Sequence, residues 1–446
     1  MLKNYFKLAI KVLGRHKFFT FISLFGISFT LMVLMIATAF FQSELGGNAP
    51  LSKKDQMIFT PMVTLSREYQ DTSLIIDTSY IDNVVQIDTT YTYKSAGRSM
   101  SRSSPSYFFL KEHLSDIPFV EKTSLYQKDS SFDIFINGKK LNFSGVYCDA
   151  NFWDIYDFKF IEGNRFGISQ VDNQAQVAIL SRQASLNYFG DITGTIGKEI
   201  ILDGKHFEVI GLVESGITSL PEVNAEVYIP LTHVNAKALK GPGYLGSFNS
   251  VYLASNRTNA LKAKNEINQK EKRIPMPSDN NGQYDKLNIE VMTFMERYAS
   301  SVAPTEDPEY NLKIFFGIIS FFTILFFLLP TLNLINLNVS RIMERSSEIG
   351  VRKAFGANSQ TILFQFVFEN IILTLIGGII GFVLALVIIK VINNSQILED
   401  TVLSFNFQVF FYSLLICLFF GIISGLIPAW RMSRVHIVNA LKQNQL

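Results

Sequence analysis

Four stretches of this chain run without a charged residue for long enough to constrain everything else. Phe18–Phe41 holds 24 such residues, 314–340 holds 27, Asn370–Ile389 holds 20 and Thr401–Trp430 holds 30. A helix rises about 1.5 Å per residue, so each stretch can cross the roughly 30 Å hydrocarbon core of a bilayer. Four transmembrane helices are therefore expected, at 18–41, 313–340, 370–390 and 408–430. The mean hydropathy of +0.22 is too low for a chain that is membrane throughout. Residues 42–312, polar and without a long apolar run, form a large water-exposed domain between the first and second spans. Ala37-Thr38-Ala39 mimics a leader-cleavage site, but the apolar run before it is too long for a signal peptide and three more spans follow.

Basic residues set the orientation. Five precede the first span, four lie between Arg341 and Lys353, and Arg431, Arg434 and Lys442 follow the fourth; the loop 391–407 carries Glu399 and Asp400 with no Lys or Arg. By the positive-inside rule both termini are cytoplasmic and the large domain is outside. Residues 1–17 place Leu2, Phe6, Ala9, Ile10 and Leu13 on one helical face and Lys3, Lys7, Lys11 and Arg15 on the other, the pattern of a basic amphipathic helix lying on an anionic lipid surface.

Within the external domain, Gln56–Leu65 and Val84–Tyr93 read as strands, Ser95–Pro105 as a serine-rich loop, Ser106–Ser115 as a helix and Pro118–Tyr126 as a strand. Phe132–Ile136, Asn137-Gly138 and Lys140–Val146 form a hairpin with a type I′ turn, and Glu199–Leu202, Asp203-Gly204 and His206–Val213 a second hairpin. Gln176–Leu180 is a strand feeding a helix at Arg182–Phe189. After Val227–Leu231, Ser250–Leu253, Thr258–Lys270 and Leu287–Met292 alternate strand, helix, strand. The fold class is an α-helical membrane protein with four transmembrane helices and a large α+β extracytoplasmic domain inserted between the first and second.

The segment after the second span carries the chain's densest charge pattern. With Ser340–Phe355 helical, Arg341, Glu344, Arg345, Glu348 and Arg352 fall on one face, with Ile342, Ser346, Ile349, Gly350 and Ala354 on the other. Glu348 and Arg352 stand in the favourable i, i+4 order, whereas Arg341 repels Arg345 and Glu344 repels Glu348, so pairing within the helix does not account for the ridge. Lys353 sits in the last turn, Gly356 ends the helix, and Asn358 or Ser359 caps another starting near Gln360. In the spans, Gly377 with Gly381 and Gly421 with Gly425 repeat the spacing that lets helix backbones approach, either inside one subunit or at a dimer seam. Pro330 is expected to kink the second span. Asn333 and Asn336 lie on one face below it, and Glu369, at the mouth of the third span, is expected either to snorkel to the interface, the preferred reading, or to pair with an arginine of the ridge.

Catalytic patterns are missing. Gly190–Lys198 has a glycine-rich look, but its spacing is wrong for a phosphate loop and Glu199 stands where Ser or Thr must hold magnesium. His16, His113, His206, His233 and His436 are dispersed singly and read as surface or structural, and Cys148 and Cys417 fall in different compartments, so no disulfide is expected. The net charge of +2 gives no signal for nucleic acid.

Glu344–Ala357, ERSSEIGVRKAFGA, resembles the signature of MacB-like and FtsX-like ABC transporter permeases, and Gly425–Lys442, GLIPAWRMSRVHIVNALK, is similar to that family's ending. Residues 158–166, 177–190, 196–214 and 227–231 resemble a MacB-type periplasmic core domain, while 45–105 align with nothing in it. The resemblance implies a permease without a fused ATPase, paired with a second permease copy (homodimer or heterodimer) on a separate cytosolic ATPase dimer that binds ATP and Mg, with no cofactor on this chain and no catalysis by it. It implies an inner-membrane location with the large domain periplasmic. That domain divides into a porter-like part at about 45–130 and 245–300 and an inserted lobe at about 131–240. The segment 341–369 is then the ATPase-docking helix and turn. ATP-driven closure is relayed to the external domain, which acts on a peptide, antibiotic or lipoprotein, with a periplasmic adaptor or outer-membrane protein as partner. The alternative is an FtsX-like regulator of a cell-wall hydrolase or sensor kinase.

Overall fold

The computed structural model describes residues 14–433 apart from 16, 48, 82–83, 137–138, 215–219, 278–282, 306, 345–350, 352–354, 356–357 and 396–402. The chain divides into two compact units, Met1–Gly46 with Phe316–Leu446, and Gly47–Phe315.

In chain order, helix α1 (Lys17–Leu45) is followed by the long strands β1 (Met57–Ile81) and β2 (Val84–Pro105), helix α2 (Tyr107–His113), and the hairpin β3 (Val120–Ile136) and β4 (Lys139–Cys148). Then come β5 (Phe160–Gly163), β6 (Val177–Ser181), α3 (Arg182–Phe189), β7 (Glu199–Leu202), β8 (Lys205–Val213), β9 (Val227–Pro230), β10 (Leu245–Gly246) and β11 (Asn249–Ala254). Helix α4 (Arg257–Glu271), strand β12 (Lys286–Thr293) and helix α5 (Phe294–Val302) lead to the long helices α6 (Pro308–Glu344), α7 (Ser359–Ser395) and α8 (Phe407–Ser433).

Local chemistry accounts for many boundaries. The Ser106 hydroxyl accepts from Phe109 N at 2.9 Å to start α2, and the Ser181 hydroxyl accepts from Ala184 N at 3.1 Å to start α3. Helix α3 stops at Gly190, whose φ of 76° is left-handed. The β7–β8 turn places Asp203 at φ 48° and Gly204 at φ 77°, the two positive values that a type I′ turn requires. The β3–β4 hairpin pairs Ile136 with Lys139, while the turn type at Asn137-Gly138 falls outside the described residues.

The strands run in the order β10-β2-β1-β11-β3-β4-β9-β6-β8-β5, with β12 on β1 and β7 on β8. Pairs β4–β9 and β6–β8 are parallel. Among the described residues, two large apolar clusters lie along this sheet. One gathers Ile58, Val63, Phe109, Leu110, Phe248 and Ile267; the other gathers Phe132, Ile134, Phe143, Leu180, Val209 and Ile229.

Two expectations for this unit are corrected. Ser95–Pro105 is not a loop but the end of β2: Ser95–Ser103 pair with Val63–Gln70 of β1 across one register shift, and Ser104 and Pro105 pair with Gly246 and Leu245 of β10. Two of its serines stand opposite apolar partners, Ser101 on Leu65 and Ser103 on Val63, and cross-strand pairing overrides a composition that by itself reads as loop. The strands expected to end at Leu65 and Tyr93 are instead parts of one hairpin running from Met57 to Pro105.

In the helical unit, Thr20–Ser43, Pro308–Phe326 and Val367–Ser395 are long and apolar enough to cross a membrane, three candidates among the described residues. Helix α8 is apolar over Phe407–Phe419, shorter than a span in its described part. Helix α7 meets α1 where its glycines lie: a Cβ on Gly377 would stand 2.9 Å from Ile27 Cγ2, and one on Gly381 would stand 2.7 Å from Ser28 O and 3.1 Å from Leu31 Cβ. Gly378 faces Leu414 of α8 in the same way. Asn406 Nδ2 donates to Gln42 Oε1 at 2.9 Å, joining the start of α8 to the end of α1.

A Cβ at Gly145 of β4 would overlap the ring of Phe132, which is buried across the hairpin. Gly145→Ala is therefore expected to cost about 1–3 kcal/mol through overpacking, seen as a lower thermal midpoint of the detergent-solubilised chain. Adding Phe132→Leu should recover part of the loss.

Candidate coupling site

Helix α5 is the last element of the sheet unit before the chain enters α6, and its first turn is built from the sequence Thr293-x-x-Glu296. The Thr293 hydroxyl accepts from Glu296 N, and Glu296 Oε2 accepts from Thr293 N at 2.7 Å, a capping box that starts the helix directly at the end of β12. The other Glu296 oxygen accepts from Lys264 Nζ of α4 at 2.6 Å, with both side chains about nine-tenths buried.

One residue on, Arg297 lies in a pocket with its charge fully enclosed. Its guanidinium forks onto Glu222: Nη2 donates to Oε2 at 2.9 Å and Nη1 donates to Oε1. Tyr126 of β3 donates to Glu222 Oε1 at 2.9 Å and accepts from Arg297 Nη1 at 3.3 Å, Tyr156 donates to the same Oε1 at 3.3 Å, and the Phe59 ring of β1 lies 4.6 Å under the guanidinium. Burial pushes the Glu222 carboxyl up, but the Arg297 charge and its hydrogen bonds outweigh this and hold the group below its ordinary value of 4.5. For Arg297, burial opposes the charge, and Glu222 overcomes it and raises the guanidinium pKa. Burial and the Glu222 charge raise the Tyr126 phenol, which stays a neutral donor.

The turn from α5 into α6 is fastened by one side chain. Asn311, fully buried, accepts from Thr305 N at 2.9 Å through Oδ1, and its Nδ2 donates to Ser300 Oγ of α5 at 2.9 Å. Tyr298 of α5 stacks edge-on against Phe315 of α6 at 5.5 Å. The segment following α1 is tied to the same region: Lys53 Nζ donates to Asp154 O at 2.9 Å, Ser52 N donates to Asp157 Oδ1 at 3.2 Å, and Lys54 lies 5.7 Å over the ring of Phe294, the first residue of α5.

The residues singled out from the sequence sit elsewhere. Arg341 and Glu344 belong to the last turn of α6, whereas Arg345, Glu348, Gly350, Arg352, Lys353 and Gly356 lie outside the described residues. Asn358 caps α7 by accepting from Gln360 N at 3.2 Å. Helix α6 continues through Pro330, and Gly421 and Gly425 are helical in α8. Glu369 differs from its expectation: it is 2% exposed and accepts from Gln365 Nε2 at 3.0 Å, because α7 turns this polar ridge inward instead of out along the helix. Sequence reasoning missed Glu296, Arg297, Glu222 and Asn311. The Thr-x-x-Glu box before α5 was a readable signal for the helix start, but nothing local pairs Glu222 with an arginine 75 residues away.

In chain order a sheet domain lies between apolar helices, and both kinds of segment match known families. Residues 20–270 match the MacB-like periplasmic core domain, more than half of the chain, and residues 320–437 match the FtsX-like permease C-terminal domain. The chain belongs to the MacB-like and FtsX-like ABC transporter permeases. This MacB-like permease is 25% identical over 295 residues to the pyoverdine export ATP-binding/permease protein PvdT of Pseudomonas fluorescens Pf0-1, covering 66% of this chain and 42% of that protein. It is 24% identical over 326 residues to the macrolide export ATP-binding/permease protein MacB of Salmonella typhi, covering 73% of this chain and 46% of that one. The chain thus spans under half the length of these curated relatives. The periplasmic region of MacB from Actinobacillus actinomycetemcomitans aligns at 18% identity with a TM-score of 0.31, covering 44% of this chain and 82% of that structure.

Removing one partner of a buried pair strands the other charge, so Arg297→Met should cost about 3–5 kcal/mol, while Arg297→Met with Glu222→Leu should regain most of it. Because the folded Glu222 pKa is depressed, the pair's contribution is complete above about pH 4.5 and is lost as pH falls through the lower folded value. The gap in thermal midpoint between the native chain and the double variant should shift against the native chain in that acid window.

Proposed function

We propose that this permease is the membrane subunit of an ABC exporter that converts ATP hydrolysis by a separate cytosolic ATPase dimer into movement of its external domain. The observation that carries the reading is the pair of buried ionic contacts, Arg297 with Glu222 and Glu296 with Lys264, that fasten α5 to the external unit immediately before the turn into α6. A soft linker would dissipate a displacement of α6. A helix held by desolvated charges and a buried Asn311 passes it on, since breaking such contacts costs several kcal/mol.

In this reading four helices span the inner membrane, with both termini cytoplasmic and the large domain periplasmic, and two permease copies form the working unit. The exposed apolar side of α6, with Phe321 63% and Ile324 63% exposed, then faces lipid or the second copy. The charged ridge, with Arg341, Glu344, Arg345, Glu348, Arg352 and Lys353, docks on the ATPase. Its internal like-charge neighbours are relieved by complementary charges on the partner, which give orientation and specificity. Nucleotide and magnesium chemistry belongs to that partner. The export names of the relatives, pyoverdine and macrolide, favour a peptide-like or antibiotic-like cargo handled outside the membrane.

Charge reversal of the ridge, Glu348→Lys with Arg352→Glu, should abolish co-purification of the ATPase; unchanged co-purification and transport would defeat the docking assignment. Asn311→Ala tests the elbow. In vesicles holding the native complex, ATP hydrolysis should persist within about twofold while ATP-driven export falls about tenfold or more. Equal loss of both, or of neither, speaks against transmission through α5.

A further inference from the structure

The turn between α2 and β3 holds a residue that its geometry disfavours. Val120 N donates to Ile117 O at 3.3 Å, closing a four-residue turn with Pro118 and Phe119 at its centre, and Phe119 has a φ of 70°. Proline followed by a left-handed residue is the pattern of a type II turn, whose third position favours glycine because a Cβ is strained there. In this chain the position carries a phenylalanine that is 46% exposed. A ring left half in water gains little burial to offset the strain.

Helix α4 runs alongside the turn and shares its surface. Lys262 Nζ lies 5.3 Å over the Phe119 ring, Lys270 Nζ donates to Asp116 O at 2.9 Å, and Leu261, next to Lys262, is itself 46% exposed. The two sides of α4 differ in chemistry. Ala260, Ala263 and Ile267 pack into the core, and the exposed side carries Arg257 and Lys262, followed by Lys272 and Arg273 just past the helix end. No carboxylate from 257 to 273 is fully exposed: Glu266 is half-buried, and Glu271 accepts from Ile289 N at 2.7 Å.

We propose that Phe119 and Leu261 anchor a soluble protein on the outer side of the membrane, and that the cations of α4 orient an acidic surface on that protein. The proposal rests on the outward placement of this domain given above. Other occupants meet charge of the wrong sign. A second copy docking by the same face would set basic α4 against basic α4, and an anionic bilayer would meet Asp116 and Glu121, which are exposed on either side of the turn. An acidic protein surface places its carboxylates over α4, leaves the acids of the turn clear and offers an apolar recess to the ring. Pro118 and the Lys262 contact fix the ring in advance, so little side-chain freedom is lost on docking.

The test uses photoreactive benzoylphenylalanine at position 119 of the full chain, in cells carrying the native complex. The control is the same probe at position 168, since Ile168 is another exposed apolar residue of the sheet unit. Illumination should attach one soluble acidic protein at 119 at a yield well above that at 168. That protein, purified, should bind the permease complex in lipid nanodiscs about tenfold more weakly after Phe119→Gly and about threefold more weakly after Lys262→Glu, with affinity falling as salt rises. Glycine relieves the turn, so the thermal midpoint of Phe119→Gly should equal or exceed that of the native chain, whereas loss of a merely structural ring would lower it. Unchanged affinity in Phe119→Gly, a lowered midpoint, no adduct above the control, or binding to phosphatidylglycerol vesicles in place of protein overturns the proposal. ATP-driven export without an adduct at 119 sinks the docking surface and leaves the exporter reading standing; an adduct that meets these criteria in a complex that exports nothing does the reverse.

Discussion

The Arg297–Glu222 pair is costly to bury, and that cost is what makes it useful. A guanidinium and a carboxylate removed from water are stable only while every donor and acceptor is met, here by each other, by the Tyr126 and Tyr156 hydroxyls, and by the Phe59 ring. These partners come from β1, β3, the segment before β9 and the helical turn at Phe152–Ile155. Helix α5 therefore has one low-energy seat, defined by groups drawn from the whole unit. Small displacements break several bonds together, so the seat behaves as a rigid joint and not as a compliant one.

The surrounding packing supports that joint. Phe152 and Trp153 head a cluster with Phe158 and Tyr228 at centroid separations of 4.6–6.1 Å for Phe152 with Tyr156 and Phe158, filling the space behind Tyr156. In the helical unit a different device serves. Gly377, Gly378 and Gly381 bring α7 close enough to α1 and α8 for backbone and side-chain contact, and the hydroxyl of Thr374 is satisfied by Asn370 O at 2.9 Å. Lipid offers no hydrogen bonds, so close approach and internal satisfaction of polar groups take the place of ionic anchoring.

The legible parts of the chain were those with a strong local period or a named stop. The first and third apolar runs, helix α3 between Ser181 and Gly190, and the hairpin at Asp203-Gly204 follow from residues within a few positions of each other. Ser95–Pro105 was not legible as strand, because residues such as Ser101 and Ser103 gain their partners from Leu65 and Val63, more than thirty positions away. Glu369 was misjudged for the same kind of reason: a carboxylate near a helix mouth is drawn outward by solvation unless a neighbour such as Gln365 meets it inside, and only packing decides that.

By itself, then, the sequence determined that this is a membrane chain with a large mixed α+β domain, because hydrophobic length and residue alternation act locally and additively. It also carried the family signature in the ridge after α6. Only the tertiary structure decided which buried groups anchor α5 to the sheet. Glu222, Lys264, Glu296, Arg297 and Asn311 are individually ordinary surface-type residues, and they become a joint only when folding removes them from water together. The free energy of a buried charge depends on partners that no local pattern names.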